Sequence, residues 1–163
     1  MDKVLVLGAL EELGFEMTNF LLEEGYEVRG IHLQTGHETI YNERRMEIGR
    51  NANFEEIALN DWLQQSDFNT TSTWVFLNNF DENVRHVWMK ENSNLKRKLQ
   101  TLATNSKNLK FIVIHPFTEW EKRNENEYVG NVMSFFISLS HKAYERNEFS
   151  SIIRAIMDIV VLR

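Results

Sequence analysis

Cysteine is absent from this chain of 163 residues, which excludes a disulfide framework and any thiolate nucleophile or metal ligand. A reducing compartment is therefore the expected environment. Proline occurs once and glycine seven times, and the chain contains no linker, repeat or low-complexity segment. We therefore expect a single domain over residues 1–163, a length that buries a sizeable core.

Long apolar runs and an excess of basic residues are also missing. No run approaches the roughly 18 apolar residues that a membrane-spanning helix needs. The net charge of −6 disfavours nucleic acid or an anionic membrane surface as a partner. Residues 1–3 lead directly into an apolar segment and leave no space for a signal peptide, so we expect a cytoplasmic protein.

The strongest positive signal lies in the first 15 residues. An uninterrupted apolar run from Val4 to Leu7 is typical of a parallel strand that is buried on both faces. Gly8 and Gly14 follow, and they indicate a tight turn and the start of a helix. This is how a dinucleotide-binding Rossmann unit begins.

The rest of the chain alternates between strand and helix patterns. We predict strands at 3–7, 26–33, 54–59, 73–77, 111–115 and 149–155, a turn or short helix from residue 61, and longer helices at 14–24, 38–48, 82–105 and 128–146. The predicted fold is α/β, a Rossmann-like doubly wound parallel sheet in three layers, with five to six strands and 3–7 at its centre. The apolar residues 156–163 are expected to form a strand or short helix, too short for a separate substrate domain.

Two segments, GALEELG at 8–14 and LLEEGYEVRG at 21–30, resemble the opening of the extended or atypical short-chain dehydrogenases/reductases. The NAD(P)-dependent epimerases and NmrA-like proteins are the most similar members. Residues 54–61, 111–115 and 151–154 resemble the third, fifth and sixth strands of that family more weakly. The resemblance implies an NAD(P) site at the glycine turn, a serine after the fifth strand, and a catalytic tyrosine with a lysine four residues later.

The turn departs from that pattern at Glu11, which stands where the family has the glycine that admits the cofactor pyrophosphate. Glu12 adds a second carboxylate. A carboxylate about 4 Å from a phosphate costs roughly 1–4 kcal/mol, so we expect no NAD(P) binding and interpret Gly8 and Gly14 as vestigial cofactor-binding residues. The acids also complement the dipole of the following helix. The competing interpretation, a metal or cationic-ligand site, has no evident further ligands in the sequence.

The remaining family positions are also altered. The stretch 31–34 offers no carboxylate or arginine to read a ribose, and His32 is expected to be a polar residue at a strand end. Tyr128 is followed four residues later by Val132, not lysine, and His115 stands near the place of the serine. Tyr128 and His115 are therefore only weak catalytic candidates. The other histidines show no metal-ligand spacing, so no metal is expected; they are His37, His86 and His141.

Two functional interpretations follow. The first is a non-catalytic Rossmann-fold protein, a pseudoenzyme with a binding, regulatory or scaffolding role and no cofactor. The alternative is a divergent NAD(P)-dependent epimerase/dehydratase-like enzyme, or a nucleotide- or sugar-binding enzyme, that uses His115 and Tyr128. We also expect a homodimer through the helices near 82–105 and 128–146, because Phe135 and Leu139 exceed the apolar residues that one helix face needs. The sequence identifies no other protein partner.

Overall fold

The computed structural model describes residues 2–33, 38–65, 72–106, 108–122, 131–138 and 146–161. In chain order the elements are β1 (Lys3–Leu7), α1 (Glu12–Glu23), β2 (Glu27–His32), α2 (Glu38–Ile48), β3 (Phe54–Ala58), α3 (Leu59–Gln64), β4 (Ser72–Asn78), α4 (Glu82–Asn105), β5 (Lys110–Pro116), a 3-10 helix (Phe117–Lys122), β6 (Asn131–Ile137) and α5 (Arg146–Val161). Among these residues, no helix combines the length and the apolar character needed to cross a bilayer.

The strands form one six-stranded parallel sheet in the order β3-β2-β1-β4-β5-β6. The apolar run at the start of the chain lies in the centre, between β2 and β4, as predicted. Val4 and Val6 are completely buried. From β1 the chain adds β2 and β3 on one side, and it then adds β4, β5 and β6 on the other side of β1. The strand order therefore switches between β1 and β4, and the carboxyl ends of these two strands form the crevice where open α/β sheets bind ligands.

Helices cover both faces of the sheet, which confirms the three-layer Rossmann-like fold. Alternate strand residues face opposite sides, so Val4 and Val6 belong to a core cluster with α1, α2 and α5. Leu5 and Leu7 belong to a second cluster with α3 and α4. The helices predicted at 38–48 and 82–105 have those bounds in the structure.

The helix predicted over 128–146 was wrong at residues 131–137. Asn131–Ile137 is β6, which pairs in parallel with β5, and residues 123–130 and 139–145 lie outside the described residues. Residues 149–155, predicted as a strand, belong to α5. In α5 the fully buried positions recur every three or four residues, which is the pattern of an amphipathic helix packed on a core; they are Phe149, Ile153, Ile156, Met157 and Val160. The segment 156–161 continues the same helix.

This correction removes one of the two helices on which the predicted homodimer depended. Phe135 lies on β6, half-buried, and packs against the first core cluster. Leu139 lies outside the described residues. A dimer built from two long helices per subunit at 82–105 and 128–146 is therefore not the arrangement that this fold offers.

Candidate functional site

A cavity of about 400 Å³ opens above the glycine turn, at the crevice between β1 and β4. The β1–α1 turn, α2 and the start of α4 surround it. Its lining consists of Glu11, Glu12, Ile40, Tyr41, Arg44, Phe80, Asp81, Glu82, Asn83 and Arg85. The volume lies within the range of small-molecule sites. This is the place at which the sequence predicted an altered cofactor site.

The two glycines of the turn are required by the backbone itself. Gly8 has a φ of +76°, which residues other than glycine rarely adopt. A Cβ atom on Gly14 would lie 1.9 Å from the carbonyl oxygen of Gly8, so α1 can approach β1 this closely only without a side chain there. Both glycines therefore serve the packing of strand against helix, whatever the site binds.

Glu11 is folded into the protein and is only 5% exposed. The Tyr41 hydroxyl donates a hydrogen bond to its Oε1, and Asn83 Nδ2 donates to its Oε2 at 3.4 Å. Glu11 stands at the N-cap of α1 but makes no side-chain capping bond there. Its carboxylate instead connects the turn to α2 and α4 at the wall of the cavity. Glu12 lies in the first turn of α1, where its charge complements the helix dipole.

Asp81 makes the contact that sequence reasoning missed. Its Oδ2 accepts the backbone N–H of Leu13, in the first turn of α1, at 3.1 Å and the side-chain amide of Asn78 at 2.6 Å. Burial raises the pKa of Asp81 to about 6, and the charges of Glu11 and Glu12 contribute to the rise, whereas the two hydrogen bonds oppose it. The only sequence signal was its position before α4, which indicates an N-cap, yet its side chain makes no capping bond to α4.

The two arginines that line the cavity are bound to backbone carbonyl groups. The Arg44 guanidinium donates to the Leu10 carbonyl oxygen and lies 5.4 Å from the centroid of the Phe15 ring. Arg85 donates to the carbonyl oxygens of Phe80 and, at 3.3 Å, Asn79. Both cations therefore hold the loops on either side of the cavity.

His32 lies at the carboxyl end of β2, where the resembling family reads the cofactor ribose. Its ring is buried and meets Tyr41 edge-on, with 5.1 Å between the ring centroids. Burial and the nearby charge of Arg45 lower its pKa. Its Nδ1 is buried and has no hydrogen-bond partner among the described residues. The prediction that His32 is a polar residue at a strand end agrees with this position, and Gln34 lies outside the described residues.

His115 lies at the carboxyl end of β5, as predicted, and is 9% exposed. The Asn79 amide donates to its Nδ1 at 3.0 Å, and its ring stacks on Phe136 with 4.8 Å between centroids. Burial lowers the pKa of His115, whereas the nearby charge of Glu119 opposes this shift. The structure places His115 outside the lining of the cavity.

The other predicted candidates are not brought together with His115 in the described part of the chain. Tyr128, His37 and His141 lie outside it. His86 is exposed on α4, with its Nε2 3.7 Å from the Glu82 carboxylate. Within the described ranges, no group of three histidine, aspartate or glutamate side chains has the arrangement of a metal site.

No family model matches the chain, and no curated protein sequence matches it. Solved structures, however, do match the chain. The dTDP-glucose 4,6-dehydratase of Bacillus anthracis, in complex with NAD, is similar with a TM-score of 0.57 and 11% identity, over 96% of this chain and 49% of that chain. A yeast methylglyoxal/isovaleraldehyde reductase complexed with NADPH is similar with a TM-score of 0.48 and 16% identity, over 77% of this chain and 41% of that chain.

The similarity to the dehydratase confirms the predicted resemblance at the level of the Rossmann-like fold. The chain spans about half the length of the dehydratase that it matches. At these identities the likeness establishes the fold alone, so the function has to be argued from the side chains of the site.

Proposed function

We propose that this chain is a non-catalytic Rossmann-fold protein whose own carboxylates occupy the place of a dinucleotide pyrophosphate, and that it acts by binding, regulation or scaffolding without NAD(P). One observation carries the proposal: the Asp81 carboxylate accepts the N–H of Leu13 at the N-terminus of α1. In dinucleotide-binding Rossmann folds that helix N-terminus binds the pyrophosphate. Gly8 and Gly14 are then vestigial cofactor-binding residues, kept for packing.

Glu11 supports the proposal through both space and charge. Its side chain lines the cavity at the turn, and its carboxylate is held there by Tyr41 and Asn83. A pyrophosphate entering this place would meet the charges of Glu11 and Asp81, each pair costing roughly 1–4 kcal/mol at 4 Å. It would also have to break the hydrogen bonds that these carboxylates already make.

The alternative, a divergent epimerase/dehydratase-like or nucleotide- or sugar-binding enzyme, would rely on Tyr128 and His115. Tyr128 precedes β6 by three positions, and Val132 lies within that strand. The four-residue spacing therefore no longer places two side chains on one face of a helix. The His115 ring binds Asn79 and stacks on Phe136, which is the environment of a structural histidine.

Calorimetric titration with the oxidised and reduced forms of both nicotinamide nucleotides tests the proposal. We expect no saturable binding tighter than about 100 μM. Saturable binding below that value would overturn the proposal, since it would show that Glu11 and Asp81 move aside. A thermal-shift screen with nucleotide sugars tests the alternative, because a ligand at 100 times its dissociation constant stabilises the fold by about 2.7 kcal/mol.

A further inference from the structure

The two edges of the sheet differ in charge. The β3 edge carries Glu55 and Glu56, and both are paired. The Glu55 carboxylate lies 2.8 Å from the Arg29 guanidinium, and Arg45 binds Glu56 through two hydrogen bonds of 2.8 and 2.9 Å. Charged side chains on an edge strand oppose the addition of another strand. This edge is therefore protected.

The β6 edge carries no charge. Of the described strands only β5 pairs with β6, and Asn131–Ile137 contains no acidic or basic residue. In the sequence the uncharged stretch extends over 128–140, equal in length to the stretch 68–80 around β4. Because β4 lies between β1 and β5, its lack of charge fits an interior strand. β6 shares this lack of charge with β4 but stands at the edge of the described sheet.

The side chains of β6 are also incompletely covered. Met133, Phe135 and Ile137 are half-buried and pack against the first core cluster, whereas Val132 is half-buried against the second. Ser134, in the middle of the strand, is exposed. A further strand beside β6 would cover the apolar side chains on both faces and pair with the backbone on the side away from β5, where none of the described strands lies.

We propose that β6 pairs with the same strand of a second copy of this chain, antiparallel about a twofold axis at Ser134. An edge strand accepts another strand, and β6 is the edge strand of the described sheet. The net charge of −6 makes two copies repel across their charged surfaces but not across this neutral one. With the axis at Ser134, Met133 lies opposite Phe135 of the second copy, a favourable thioether–aromatic pair, and Val132 lies opposite Phe136. The resulting dimer uses a strand and not the pair of helices expected from the sequence.

A single engineered cysteine tests the register directly, because the native chain contains none. In the proposed pairing Ser134 faces Ser134 of the second copy, with about 4.5–5.5 Å between Cα atoms, which fits a disulfide. We expect Ser134→Cys to form a covalent dimer on mild oxidation, visible on a non-reducing gel. Thr101→Cys, at an exposed position on α4, is the matched control and should stay monomeric on the gel.

Light scattering at micromolar concentration supplies the second readout. We expect the native chain to have twice the monomer mass of 19.3 kDa. Ser134→Lys should return the mass to that of the monomer, because two lysines would face each other at the axis, whereas Thr101→Lys should leave the dimer intact. A monomeric native chain, a dimer that survives Ser134→Lys, or a Ser134→Cys variant that does not cross-link would each overturn the proposal.

Discussion

The Asp81 carboxylate accepts the backbone N–H of Leu13 at 3.1 Å, although 68 residues separate the two in sequence. This bond joins the β4–α4 connection to the first turn of α1. The N-terminus of a helix carries a partial positive charge and unpaired N–H groups, which is why it attracts anions. Here an internal anion already occupies one of those groups, so any external anion has to compete with it.

The raised pKa of Asp81 predicts a pH dependence of stability. Its folded value of about 6 lies above the ordinary 3.8, so the folded state binds the proton more readily than the unfolded state. The contribution of Asp81 to the free energy of unfolding is complete below about pH 4 and is lost as the pH rises through about 6. The total loss is about 3 kcal/mol. Urea unfolding at a series of pH values measures it.

Asp81→Asn is the control for this effect, since the amide imitates the protonated acid and does not titrate. Between pH 4 and pH 7 the unfolding free energy of the native chain should fall by up to about 3 kcal/mol relative to that of the variant. Parallel pH profiles for the two proteins would show that Asp81 titrates near its ordinary pKa.

Gly14→Ala should destabilise the fold severely. The new Cβ would lie 1.9 Å from the Gly8 carbonyl oxygen, and a backbone atom cannot move away as a flexible side chain can. We expect a loss of about 3 kcal/mol or more. Gly25→Ala is the matched control, because a Cβ there meets no atom within 4 Å and only the φ of +85° opposes it, for about 1–2 kcal/mol. Equal losses of stability for Gly14→Ala and Gly25→Ala in thermal unfolding would contradict the packing role of Gly14.

Tyr41→Phe removes the hydroxyl that binds the Glu11 carboxylate. Tyr41 is 1% exposed, so water does not readily replace the lost donor, and we expect a destabilisation of about 1.5–3 kcal/mol. Tyr26 is half-buried and packs on Trp74, so the control variant Tyr26→Phe should change the free energy of unfolding by less than about 0.5 kcal/mol. Combining Tyr41→Phe with Glu11→Gln in a double-mutant cycle isolates the pair, and a coupling near zero would mean that the bond contributes little.

The part of the fold that could be predicted from the sequence is the part specified by local pattern. The buried run of β1, the glycine turn and the amphipathic α4 each have a period or a residue type that only one structure satisfies. The segment containing β6 has no such pattern, because a short continuous apolar run fits a buried helix as well as a strand. The alternation of strands and helices favoured a long helix there and placed the next strand at 149–155, which belongs to α5.

The candidate site likewise contains residues that the local sequence pattern identifies and residues that it does not. Glu11 and the two glycines were recognised because they lie within one short motif. Asp81, Tyr41 and Asn83 were missed because they reach the turn from α2 and the start of α4, and no sequence spacing links those elements to it. A residue that caps a helix other than its own cannot be recognised from its neighbours in the chain.

Opening the turn should restore weak dinucleotide binding, provided that both obstructions are removed. Glu11→Gly removes a side chain and a charge from the cavity wall at the turn, and Asp81→Asn removes the charge beside the Leu13 N–H. We expect the double variant to bind NAD with a millimolar dissociation constant and to show no turnover. Binding stays weak because the end of β2 offers no carboxylate or arginine for the ribose and no lysine follows Tyr128 by four residues.

Either single variant leaves one carboxylate in place, so both should remain without measurable binding in calorimetry. Glu11→Gly with Glu12→Phe is the sharper comparison, because it removes both carboxylates of the turn but keeps Asp81 bound to α1. It should bind NAD at least tenfold more weakly than Glu11→Gly with Asp81→Asn. A discrimination of tenfold corresponds to about 1.4 kcal/mol, within the cost of one carboxylate beside a phosphate. If the two pairs bind equally, Asp81 is not an obstruction. If neither binds although both remain folded by circular dichroism, the helix N-terminus is not a latent pyrophosphate site.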